Sequence, residues 1–200
     1  MIKRLSALTV MLFISLTASA QVAKFSAGVK GVGMANFMDD IALMTYGGGG
    51  GVFAGVRIAN VVGLQAEALY GLSVGRTEYA ISNPNNSQAL NVMHNYLYVP
   101  VVAQVWCGRN VALEAGYQQA IVLSGKLKSA RFEKEDAGMF DYGSVVAGVN
   151  FNIGKVVTMN FRYAYSLGYT YIATTVPAKT HSVQFGLGFR FFTTRKQIFR

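Results

Sequence analysis

VTMNFRYAYSLGYTY, residues 157–171, alternates along its whole length. Its odd positions are Val157, Met159, Phe161, Tyr163, Tyr165, Leu167, Tyr169 and Tyr171. Its even positions are Thr158, Asn160, Arg162, Ala164, Ser166, Gly168 and Thr170. Successive side chains of a strand point to opposite faces, so this segment predicts a strand with one large apolar face and one polar face carrying an arginine. Which face meets water decides the fold.

Seven further segments share the period of two and predict strands at about 24–33, 51–58, 64–75, 96–106, 111–127, 144–153 and 182–192. The gaps between the eight segments alternate. ANVVG (59–63), CGRN (107–110) and GKV (154–156) are short, whereas 34–50 with its YGGGG, 76–95, 128–143 and 172–181 are long and polar. Short turns at one end, long loops at the other and an even strand count are the pattern of an outer-membrane barrel, with its turns in the periplasm.

In this register one face collects Val, Leu, Ala, Ile and aromatic residues, with Gln119 as its polar exception and no charge. The other face carries Lys24, Lys30, Arg57, Glu67, Glu114, Lys126, Arg162 and Arg190 among small polar residues and glycines. A water-soluble barrel would turn the charged face outward. Here the apolar face is the more extended one and ends in aromatic residues: Tyr165, Tyr169 and Tyr171 towards the loops, Phe151, Phe189 and Phe191 towards the turns. Such rings suit the headgroup levels of a bilayer, so lipid lies outside and water inside. Lysine or arginine at mid-membrane on the lipid face would cost about 2–4 kcal/mol, which accounts for the uncharged face. The expected fold is all-β: an eight-stranded antiparallel up-and-down transmembrane β-barrel with a polar, side-chain-filled lumen.

The N-terminus predicts export. Lys3 and Arg4 precede an apolar run from Leu5 to Leu16, and Ala18-Ser19-Ala20 forms a small-x-small cleavage site, so residues 1–20 read as a signal peptide. The barrel is expected over 21–192 and a short basic tail over 193–200. Beyond Ala20 no apolar run is long enough for a membrane helix. The net charge of +9 is spread over single residues, which gives no support to a nucleic-acid groove. Cys107 is the one cysteine and cannot form an internal disulfide; it reads as a small apolar filler.

KFSAGVKGVGMANF, GGVFAGVRIANVVGLQAEALYG, NYLYVPVVAQV, NVALEAGYQQAIVLSGK, YGSVVAGVNFNI, NFRYAYSLGYT and SVQFGLGFRF occur in that order. Together they resemble the small outer-membrane barrels of Bacteroidetes known as the porin family, or PorT-like outer-membrane β-barrel domain. The resemblance covers the chain after the signal peptide and implies a fold and a location in the outer membrane. Two features depart from the family. Tyr98 stands where such barrels carry an inward acid, and TTRKQIFR follows Phe192, where they end on the aromatic residue that resembles the signal for the barrel-assembly machinery.

An eight-stranded barrel is just wide enough for side chains to fill it. Lys30, Arg57, Glu67, Glu114, Arg162 and Arg190 are therefore expected to form a charge network in the periplasmic half of the lumen, where buried charges need partners. Glu67 and Glu114 read as counter-ions in preference to the acid and base of a hydrolase. His94 and His181 read as solvated rim residues, although His181-Ser182 invites comparison with lipid A deacylases. Two isolated histidines do not suggest a metal site, and no cofactor is expected: Gly28-x-x-Gly31-x-Gly33 and Gly47–Gly51 lack the following helix and the Gly-Lys-Ser/Thr of a phosphate loop. Lys128, Arg131 and Lys134 are candidate contacts to lipopolysaccharide phosphates. The expected partners are outer-membrane lipid and lipopolysaccharide, the barrel-assembly machinery, and a protein at the extracellular loops. The expected function is a non-enzymatic structural or interaction role through those loops. A narrow channel for small solutes or ions and a lipid A-modifying enzyme are the alternatives.

Overall fold

The computed structural model describes residues 22–38, 43–80, 87–128, 133–135, 141–168, 170–172 and 176–197, with side-chain surroundings for 23–38, 44–75, 91–126, 141–168 and 179–193. Residues 1–21, the expected signal peptide, lie outside them. Eight strands form the wall: β1 (Val22–Met38), β2 (Leu43–Ile58), β3 (Val62–Ala80), β4 (Ser87–Cys107), β5 (Val111–Lys128), β6 (Tyr142–Ile153), β7 (Val157–Ser166) and β8 (Thr180–Gln197). Each pairs antiparallel with its sequence neighbour, and β1 pairs with β8, so the sheet closes without a free edge. A short strand, Glu133–Glu135, extends β5 at Lys126–Lys128, and Thr170–Ile172 pairs with Val176–Ala178 in the last long connection.

The turns at one end are tight. Ala59 and Asn60 both have positive φ, and the Val61 amide donates to the Ile58 carbonyl, the geometry of a primed hairpin turn that matches strand twist. Gly108 and Gly154 supply positive φ at the other two turns.

At the loop end the strands run further than the alternation predicts. Gly47–Gly50, expected in a loop, pairs on both sides, with Met34–Gly31 of β1 and Ser73–Tyr70 of β3. Alternate glycines stand where the wall is crowded: a Cβ at Gly49 would lie 2.7 Å from the Gly71 Cα, and one at Gly51 2.8 Å from the Leu69 Cα. In the opposite sense, the stretch that sets the fold stops short as a strand. The wall ends at Ser166, where the chain bends at Leu167 and Gly168. The Ser166 hydroxyl donates to the Gly168 carbonyl (3.1 Å) and accepts from the Thr180 amide (2.9 Å). Beyond Phe192 the expected tail continues β8 as far as Gln197, which pairs with Val22.

Alternation of burial matches the outward apolar face. Val52, Leu64, Val105, Leu113, Phe161 and Leu187 are among its exposed residues, and Phe25, Phe189, Phe191 and Phe192 ring its turn end. Phe151 and Tyr165 are half-buried on the same face. Tyr169 and the side chain of Tyr171 lie outside the described residues. Two bulges alter the pattern. One between Ala27 and Gly28 leaves Phe191 unpaired, so Phe191 and Phe192 both face outward. The other, between Asn95 and Tyr96, leaves Leu123 unpaired and reverses the parity of β5 after it. Lys126, expected in the lumen, is consequently exposed opposite outward-facing Met93. Cys107 is also exposed, at the turn end of β4, and not a buried filler.

Candidate functional site

The lumen is layered along its axis. Nearest the middle, β1, β3, β5 and β7 each direct one charged side chain inward at similar height. Lys30 Nζ lies 2.9 Å from both carboxylate oxygens of Glu67. Arg162 bridges the two acids: Nη2 donates to Glu67 Oε1 at 2.6 Å, while Nε and Nη2 donate to Glu114 at 2.6 and 3.2 Å. Gln65 donates to Glu67 Oε1 (2.7 Å), and Gln104 donates to Glu114 Oε2 (3.3 Å). Two cations and two anions, with side chains at most 3% exposed, thus form a neutral and closely bonded cluster. Burying these charges is costly, and only such saturation by opposite charge and hydrogen bonds offsets it. Gly148 and Gly186 make the room, since Cβ atoms there would stand 3.0 Å from Arg162 Cγ and 2.6 Å from Lys30 Cε.

Towards the loops the lining becomes apolar and aromatic. Val32, Met34, Leu69, Tyr96, Tyr98, Ala120 and Tyr142 pack into one buried cluster across the interior. Tyr96 stacks at a tilt on Tyr98 (5.3 Å between centroids) and meets the edge of Tyr142 (6.1 Å). Tyr98, which departs from the family pattern, is part of this layer. Above it Asn36, Thr45 and Ser73 bond to one another. His94, expected at a solvated rim, is buried against Tyr96; even residues of β4 face inward, and its position in that register places it inside.

Towards the short turns the lining becomes basic. Arg57 donates through Nη2 to the carbonyls of Asn60 (2.5 Å) and Gly108 (2.9 Å), and its guanidinium stacks 4.0 Å over Trp106. Arg190 Nη2 donates to Asn152 Oδ1 (2.8 Å). These two arginines, grouped by sequence with the carboxylates, stand apart from them. The lumen therefore divides the six candidates into a cluster of four, Lys30, Glu67, Glu114 and Arg162, and a pair at the mouth.

Sequence reasoning did not single out Gln65, Gln104, Trp106 or the tyrosine layer as functional, although their inward parity was readable once the register was set. Glu67 and Glu114 are both held by Arg162, which fits counter-ions better than an acid and base. His181 lies on the outer face, where its Nδ1 meets the Tyr163 hydroxyl and its ring packs against Tyr163 and Tyr165. Ser182 faces the lumen and is buried. The strand separates His181 from Ser182 and from His94, so neither a nucleophile–base pair nor a shared ion can form from them. Of the candidate lipopolysaccharide contacts, the side chains of Lys128, Arg131 and Lys134 lie outside the described residues.

A family model for the outer membrane protein beta-barrel domain matches residues 6–191. No curated protein matches the sequence. Among solved structures, Neisserial surface protein A (NspA) superimposes with a TM-score of 0.56 at 12% identity, over 84% of this chain and 97% of that one. Ail, the attachment invasion locus protein of Yersinia pestis, solved with the heparin analogue sucrose octasulfate, gives a TM-score of 0.51 at 15% identity, over 84% and 99%. At these identities the likeness is one of fold.

Proposed function

Because the chain belongs to the outer membrane protein beta-barrel domain family and is therefore an outer-membrane barrel, we propose that it serves there as a plugged, non-catalytic scaffold. Its role is structural or one of interaction through its extracellular loops, and it is not an open general-diffusion pore. The filled lumen carries this reading: the neutral Lys30–Glu67–Arg162–Glu114 cluster and the tyrosine layer lie one above the other across an interior that eight strands make narrow.

The wall supports the loop assignment. Strands β1 to β5 and β8 have 16 to 21 residues. A tilted strand crosses the hydrocarbon in about 9–11, so roughly 6–10 residues of each lie outside it. On β2 to β5 this surplus holds the long connections away from the bilayer, whereas β8 runs past the turn end to Gln197 beside Val22. The exposed Lys126 stands at that end of the outer wall, and Lys128, Arg131 and Lys134, which follow it in the sequence, are the proposed contacts to lipopolysaccharide phosphates. The ordered motifs shared with Bacteroidetes PorT-like barrels, and delivery by a signal peptide to the barrel-assembly machinery, belong to the same proposal.

Planar-bilayer recording of the purified barrel tests it. The expected record is flat; reproducible single-channel steps would replace this reading with that of a narrow pore.

A further inference from the structure

The mouth of the lumen at the short turns is built unlike the cluster deeper inside. A cavity of about 340 Å³ is lined there by Lys24, Arg57, Arg109, Lys155 and Arg190, together with Trp106, and no Asp or Glu is among its described lining residues. The guanidinium of Arg57 is fixed in place by three backbone carbonyls, of Asn60, Gly108 and Arg109, and the indole of Trp106, and that of Arg190 by Asn152. Even so, three buried donors on residues that line it, Arg57 Nε, Trp106 Nε1 and Arg190 Nε, have no hydrogen-bond partner among the described residues. Held guanidiniums with unspent N–H groups, inside a low-dielectric cylinder that concentrates their field, lack one thing: an acceptor carrying negative charge.

We propose that this mouth is a binding site for a small phosphate-class anion presented from the periplasm. Three guanidiniums and two ammoniums, with no carboxylate among the described lining residues, suit a group with two or more negative charges, and planar guanidinium forks match phosphate oxygens in pairs. The volume lies at the small end of ligand sites, enough for a diphosphate or a compact phosphoester. The short turns face the periplasm in barrels of this kind, which sets the side of approach. The anion is either a free phosphoester or the phosphate of a lipid headgroup. The site lies at the opposite end of the molecule from the loops, so it stands whether or not the loops act as proposed.

The test is calorimetric titration of the full barrel, in maltoside detergent free of phosphate, with inorganic pyrophosphate. Saturable binding of about one equivalent is expected, weakening as salt is raised and falling about tenfold in Arg190→Gln and in Arg109→Gln. Arg109 is an exposed turn residue, so its variant tests the site even if Arg190→Gln fails to fold; heat-modifiable migration reports folding for both. Competition by phosphatidylglycerol in nanodiscs assigns the site to headgroups, and its absence to free phosphoesters. No saturable heat, or equal affinity in wild type and folded Arg109→Gln, overturns the proposal.

Discussion

The middle of the lumen and its turn-side mouth use the same kinds of residue to opposite ends. In the middle, Lys30 and Arg162 meet Glu67 and Glu114, every carboxylate oxygen is bonded, and the sum of charge is zero. At the mouth Arg57 and Arg190 meet backbone carbonyls, an indole and an amide, while buried N–H groups stay without acceptors. A saturated buried cluster has nothing left to offer a ligand and holds strands together; an unsaturated one contributes less to the fold and retains its capacity to bind. Position in the barrel decides which outcome a charged residue has, because inward residues of four strands meet at mid-height, whereas the mouth has turns on one side and water below.

That contrast can be broken in graded steps. The largest effect is expected from Arg162→Met, which strips the bridging cation from both acids and leaves Glu114 with Gln104 alone. Breaking a buried pair in this way costs about 3–5 kcal/mol, to be read as a lowered midpoint in urea unfolding from detergent or vesicles. Gly186→Val should follow, since its Cβ would press on Lys30 Cε; overpacking of this kind costs about 1–3 kcal/mol, and Gly186→Ala should cost less than Gly186→Val in the same assay. The smallest effect on stability is expected from Arg57→Gln, within about 1 kcal/mol, because it gives up hydrogen bonds but also removes an unpaired charge. Its cost should fall on pyrophosphate affinity.

The eight-stranded fold was legible because both of its signals are local: alternation within each strand, and short and long gaps in turn. Burial on the two faces followed from the same parity. What was hidden depends on contacts between strands. Gly47–Gly50 looks like a loop by itself and becomes a strand by pairing on both sides, with Gly47 and Gly49 where the next strand leaves no room for a Cβ. The bulges at Leu123 and Phe191 each shift parity with no residue to announce them, which is why Lys126 leaves the lumen face. VTMNFRYAYSLGYTY keeps its alternation past the point where Ser166 turns the chain off the wall. For the candidate site, sign and facing were readable for all six charges, but height was not, and height sorts Arg57 and Arg190 from the other four. Gln65 and Gln104 complete the cluster without charge and so drew no notice.

The central claim is that pairing, not the mere presence of charge, separates the middle of the lumen from its mouth. Urea unfolding of Glu67→Gln/Glu114→Gln beside Arg57→Gln/Arg190→Gln in the same lipid tests it most directly, because each double variant removes two like charges from one cylinder. The predicted result is a loss above about 3 kcal/mol for the first and a change of about 1 kcal/mol or less for the second. Equal losses would contradict it.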